Sequence, residues 1–211
     1  HQIGAMHPNS PKPEETDMLG KFIMKNYAPV SQAYGFHFKQ YHKSIFTPVI
    51  REPIRKLEPT NLGHYTVYLP SYDDAHLLKH LTKFSDVQWE VFSKHNNKPL
   101  HVKNVKIQPI DNDAFVKSMA SAEGVLCGAG FETPAEALYL GKKVLAIPMK
   151  NQYEQHLNAA ALEDIGIPII KSLKKKYEYD IEVWLNSTNK VKVDYPNNTM
   201  QIVESIISKN T

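Results

Sequence analysis

Cysteine is nearly missing from this sequence. Cys127 stands alone among 211 residues, which excludes an internal disulfide and fits a reducing compartment. Charge of one sign is not in excess either. Lys and Arg number 25 against 22 Asp and Glu, a formal net charge of +3. So mild a balance gives no electrostatic case for nucleic acid or an anionic membrane as a partner. Long hydrophobic runs are also lacking. No stretch approaches the roughly 20 apolar residues of a membrane span, and no secretory signal is visible. No His/Cys/Asp/Glu spacing suits zinc or calcium, so no metal is expected. GxSxG, the P-loop and G-x-G-x-x-G are absent too. What is present is globular, with 42% hydrophobic and 22% charged residues. The first residue is His1 rather than Met, so we expect a piece of a longer protein.

The pattern changes along the chain. Residues 1–16 are rich in proline, histidine and polar groups and predict loop. Met18, Leu19, Phe22, Ile23 and Tyr27 have helical spacing and predict a short helix over 17–27. Short strands are expected at 37–39 and 45–47. The prolines and mixed charge of 51–61 predict a linker, with a domain boundary between residues 58 and 59. From residue 63 onward, strands are expected at 65–69, 88–93, 105–107, 124–127, 143–147 and 168–170. Helices are expected at 73–83, 114–120, 133–141 and 152–165, then at 178–186 and 198–208. Short apolar strands alternating with helices imply βαβ units. The predicted fold class is therefore α/β, a Rossmann-like parallel sheet with helices on both faces.

The densest signal is GVLCGAGFETPAEALYLGKKVLAIPMKNQYEQHLNAA, which starts at Gly124. An apolar strand opens into the turn Gly128-Ala129-Gly130, a helix start follows, and a second strand leads to a polar loop. Ligands of parallel sheets bind beyond the carboxyl ends of such strands. Thr133-Pro134-Ala135-Glu136 has two readings. It is a capping box, with proline at the first helical position. It is also a helix N-terminus offering free N–H groups to a diphosphate, with the Glu136 carboxylate placed for ribose hydroxyls. In the next loop, the adjacent Glu154 and Gln155 could take the vicinal hydroxyls of a sugar, since Gln155 has no evident capping task there. Ser71 either caps helix 73–83 or bonds a phosphate. Cys127, in an apolar strand, is an inert buried thiol.

These residues resemble the carboxyl-terminal half of GT-B glycosyltransferases, above all the group around the bacterial N-acetylglucosaminyltransferase of the peptidoglycan lipid intermediate. The likeness is good over 65–170 and weak toward both ends. It implies a nucleotide-sugar-binding domain over 59–211. Residues 1–58 would then be the remnant of an amino-terminal, acceptor-side domain plus linker. Glu136 would bind ribose, and Glu154 with Gln155 the donor sugar. Gly128, Gly130, Phe131 and Thr133 would face the diphosphate, Ser71 would touch phosphate, and the backbone of Ile110 would read a uracil. The group has two amides where Glu154 stands, and a glycine-rich loop where Leu69-Pro70 stands, which leaves the sugar open. The resemblance implies metal-independent hexosyl transfer from a UDP-type sugar to a lipid-linked or polysaccharide acceptor of the cell envelope. It implies a cytoplasmic place of work, compatible with attachment at the inner face of the membrane. The catalytic base would lie in the absent amino-terminal part, so this chain would bind donor without transferring it. Two alternatives stay open: a nucleotide-sugar epimerase or hydrolase on the same fold, and a non-catalytic nucleotide-binding module.

Overall fold

Each apolar strand of the glycine-turn segment alternates its side chains between two cores, as the period of two dictates. A computed structural model describes residues 1–14, 17–26 (the side chain of Lys25 excepted) and 32–208. The chain runs α1 (Gln2–Met6), α2 (Met18–Asn26), β1 (Gly35–Phe36), β2 (Ile45–Phe46) and α3 (Glu52–Arg55). It continues with β3 (His64–Tyr68), α4 (Asp74–Leu81), β4 (Gln88–Ser93), β5 (Leu100–Val102), β6 (Val105–Pro109) and α5 (Asn112–Ser121). Then come β7 (Gly124–Gly128), α6 (Glu132–Tyr139), β8 (Lys143–Ile147), α7 (Tyr153–Asp164), α8 (Glu178–Asn186) and α9 (Thr199–Ser208).

The main sheet has the order β5-β6-β4-β3-β7-β8. All pairs are parallel except β5–β6. Val125, Cys127, Val144 and Ala146 join one core with α5, α6 and α7, through Met119, Leu138 and Leu162. Leu126, Leu145 and Ile147 join the other, with Leu77 and Leu81 of α4 and Trp184 of α8. Helices thus cover both faces, as the sequence pattern predicts. The sheet grows outward from β3, first through β4 and β6, then on the opposite side through β7 and β8. The order reverses between β3 and β7, and a crevice opens beyond their carboxyl ends at such a switch point.

Several expectations needed correcting. Residues 1–16 are not all loop, because α1 forms there. Its cause is tertiary contact rather than propensity: a Cβ on Gly4 would lie 2.2 Å from the Phe36 carbonyl oxygen, so only glycine lets α1 lie on the backbone of β1. The strand expected at 37–39 sits two residues earlier, although the His37 N–H still bonds the Phe46 carbonyl at 2.9 Å. The stretch read as linker contains α3, whose Ile54 is fully buried in the same core as Phe38, Ile50 and Val125. The short β5 is an edge strand that the sequence reading missed. The strand expected at 168–170 is a single bridge, Ile169 to Ala146. Tyr27, the end of the helix expected over 17–27, lies outside the described residues.

Candidate functional site

The glycine turn leaves the carboxyl end of β7 and enters α6 at once, so the turn lies at the switch point. Helix α6 starts at Glu132, two residues earlier than the capping-box reading requires. Phe131 holds the N-cap position with no side-chain cap, and Thr133 and Pro134 lie inside the first turn. The capping box is therefore not formed. Pro134 costs little there, because first-turn N–H groups have no intrahelical acceptor. Among the described residues, the N–H groups of Gly130, Phe131, Glu132 and Thr133 have no acceptor. A Cβ on Gly130 would meet nothing within 4 Å. The helix start is open, and its partial positive charge is unspent.

Glu136 does something other than capping. Its side chain is only 5% exposed, and its carboxylate accepts two bonds from Arg51, from Nε at 2.5 Å and from a terminal nitrogen at 2.9 Å. Fork-to-carboxylate geometry of this kind is the strong form of ion pair. It raises the Arg51 pKa, with desolvation opposing it. Arg51 also donates to Asn112 Oδ1 at 3.2 Å. A carboxylate has about four lone-pair positions, so two remain for a ligand. Arg51, Glu132 and Glu136, with His1, Phe36 and Phe131, line a cavity of about 280 Å³.

The polar loop after β8 closes the site from another side. Gln155 Oε1 accepts the Met149 N–H at 3.0 Å, and its Nε2 donates to Gln152 at 2.7 Å. Gln155, read as having no capping task, has a different local one: it holds the 148–152 turn shut. Glu154, in the first turn of α7, accepts from Gln2 Nε2 at 3.3 Å and lies 3.5 Å from His1 Nε2. Asn158 lies one turn further along α7 and is fully buried. It donates to the Ala129 carbonyl at 3.1 Å, and its Oδ1 stands 2.8 Å from His1 Nε2. The His1 ring stacks on Phe131, with centroids 3.8 Å apart.

The remaining expected residues lie further out. Ser71 is exposed in the loop after β3 and does not cap α4; Asp73 does, accepting the His76 N–H at 2.7 Å. Ile110 is 48% exposed just past the end of β6. Gly128 ends β7, where a Cβ would make only ordinary contact with Gln155 Oε1 at 3.6 Å. The structure thus brings together Gly130, Phe131 and Glu136, with Glu154 reached through His1, and leaves Ser71 and Ile110 at separate strand ends. Sequence reasoning missed Arg51 and Asn158. The signal for Asn158 was its place four residues after Glu154, on the same face of α7. Arg51 had no local signal, because its partner is 85 residues away. Among the described residues, no three His, Cys, Asp or Glu converge as metal ligands, and no helix is long and apolar enough to cross a membrane.

Solved structures share this architecture. Acinetobacter baumannii MurG superposes with a TM-score of 0.53 at 19% identity, over 83% of this chain and 59% of that one. The spinosyn forosaminyltransferase SpnP gives 0.52 at 12% identity, over 92% of this chain and 63% of that one. The chain thus spans about three-fifths of the length of each. No curated protein matches. The sequence model of glycosyl transferase family 1 matches residues 4–187, and the chain belongs to that family.

Proposed function

From that membership we propose that this chain is the donor-binding half of a glycosyltransferase that moves a hexosyl group from a nucleoside-diphosphate sugar, UDP-linked by preference. One observation supports the reading above the others: four unclaimed N–H groups, Gly130 to Thr133, open beside an unobstructed glycine at the switch point. A diphosphate laid there takes hydrogen bonds from amides that need no reorganisation. Arg51 adds a cation at the cavity wall. Glu136 offers its two remaining lone-pair positions to ribose. Glu154 and Gln155 stand for the sugar hydroxyls, Ser71 for phosphate and Ile110 for the base. As the acceptor oxygen bonds the anomeric carbon and the bond from that carbon to the diphosphate breaks, the helix start stabilises the negative charge that builds on the departing diphosphate, in a step read as metal-independent.

In this reading residues 1–58 are the end of an acceptor-side domain, and 59–211 the donor domain. The group that deprotonates the acceptor lies in the rest of that first domain, so the chain alone binds donor and transfers nothing. The acceptor is a lipid-linked or polysaccharide chain, and the place of work is the cytoplasmic side of the membrane.

Thermal shift tests the donor. UDP and UDP-hexoses stabilise the chain by mass action, and GDP, TDP and CDP sugars less. Calorimetry with Glu136→Gln then shows an affinity for UDP lower by about tenfold, the loss of one charged hydrogen bond. Unchanged or tighter binding would make Glu136 only the anchor of Arg51. No shift with any nucleotide would sink the donor site.

A further inference from the structure

A second cleft, of about 350 Å³, lies beside β2. Its walls come from two places far apart in sequence: Gln40, Phe46 and Thr47 around β2, and Asp194, Asn198 and Gln201 before and in α9. We propose that this cleft binds a neutral sugar ring of the acceptor glycan, beyond the unit that reacts. That the sugar belongs to an acceptor rests on the donor site proposed above; that the cleft takes a sugar does not.

The chemistry of the wall selects the ligand. Amides and a hydroxyl both donate and accept, which is what the hydroxyls of a sugar require. One carboxylate, Asp194, can take a pair of vicinal hydroxyls. The ring of Phe46 gives an apolar surface for the C–H face of a pyranose. Among the described residues no Lys, Arg or His lines the cleft, so a phosphate or another anion finds no counter-charge from them. The side chains of Gln40, Thr47, Asp194, Asn198 and Gln201 make no hydrogen bond or ion pair with other described residues. Their bonding capacity is free for a ligand, and they hold no part of the fold in place. The volume lies at the small end of the roughly 300–1,000 Å³ usual for small-molecule sites.

Position connects the cleft to the donor cavity. Thr47 lines the cleft and its neighbour Pro48 lines the cavity. Phe46 and Phe36, one in each wall, meet with ring centroids 5.8 Å apart. A chain of sugars seated in the cleft would therefore have its next units close to the donor. Binding energy from such a remote unit orients the acceptor hydroxyl without touching the reacting atoms.

The test is saturation-transfer difference NMR on the whole chain, with methyl β-glucoside, methyl β-galactoside and methyl N-acetyl-β-glucosaminide as probes. At least one probe is expected to give signal. In the double variant Asp194→Ala, Gln201→Ala, affinity is expected to fall by roughly tenfold, as two hydrogen-bonding groups are lost. Both residues are exposed, so this variant keeps the fold; Phe46→Ala, checked by circular dichroism, removes the ring. Silence from all three probes, or equal signal from the double variant, would overturn the site. Displacement of the probe by UDP would also overturn it, by placing the sugar in the donor cavity. A UDP thermal shift on the same sample reports on the donor reading separately, so either claim can fail alone.

Discussion

The sheet and the amino-terminal segment are built on different principles. From His64 to Ile170 the structure rests on aliphatic burial: Val67, Leu126, Leu145 and Ile107 are wholly inaccessible. Before His64 fewer side chains are buried, Ala5, Phe38, Ile45, Ile50 and Ile54 among them, and polar contacts to the backbone do more of the holding. Lys12 Nζ donates to the carbonyls of Ala5, His7 and Ser10 at 3.1, 2.6 and 2.7 Å. Ser10 Oγ donates to the Gly4 carbonyl at 2.6 Å, and Tyr195 reaches in to the Phe38 carbonyl at 3.1 Å. The difference separates two tasks. The sheet supplies the scaffold and the open helix start. The segment adds His1 and Arg51 to a cavity wall that Phe131, Glu132 and Glu136 complete. A rigid scaffold with its functional groups delivered by irregular chain is a common division of labour.

The comparison breaks first at the core. Leu126→Ala should cost about 3 kcal/mol, within the usual range for a buried leucine. Ile54, in the segment but packed into the sheet's core, should cost a similar amount as Ile54→Ala. Urea unfolding followed by both tryptophan fluorescence and circular dichroism should then show one transition in each variant. If Ile54→Ala splits the curve in two while Leu126→Ala does not, segment and sheet are separate cooperative units, and their contact is weaker than the shared core implies.

Acid sharpens it next. His37 has no exposed surface, and among the described residues neither ring nitrogen has a hydrogen-bond partner. Burial lowers its pKa from 6.5 to about 4, with the nearby Lys12 adding to the effect. Between those values the unfolded chain binds a proton that the folded chain refuses. Stability therefore falls as pH drops through 6.5 and levels off near 4, by on the order of 3 kcal/mol in all. His37→Phe should flatten that limb of the pH profile in urea midpoints, because the replacement has nothing to protonate. An unchanged limb would mean that His37 finds a partner on protonation.

The same contrast explains what the sequence revealed. The parallel sheet was legible because the short apolar runs Val125 to Cys127 and Val144 to Ile147 are local signals, and so are the helices between. The glycine turn announced itself for the same reason. Glu136 was found, but its partner was not: nothing near Arg51 says that its guanidinium crosses 85 residues to reach a carboxylate. Helix α1 hides behind His7-Pro8 and depends on a glycine, Gly4, whose reason is the backbone of another strand. Gln155 stood out for having no capping task, and its bond to the Met149 N–H shows the task it does have, stiffening the loop.

The smallest effect concerns the joint between the two regions. Arg51 is 45% exposed while the Glu136 carboxylate is 5% exposed, so solvent weakens only one end of the pair. Arg51→Ala leaves a buried carboxylate without its fork and should cost about 1–2 kcal/mol. Glu136→Gln should cost less, since an amide oxygen still accepts from the guanidinium. The double variant should recover part of the loss, giving a coupling near 1 kcal/mol in the cycle. Arg51→Lys should rescue charge without the fork, and so stand between wild type and alanine. If all four proteins melt together, the pair is only a crossing point of two independently held regions. In that case Arg51 must be retained for what enters the cavity, and its effect should appear in UDP affinity instead.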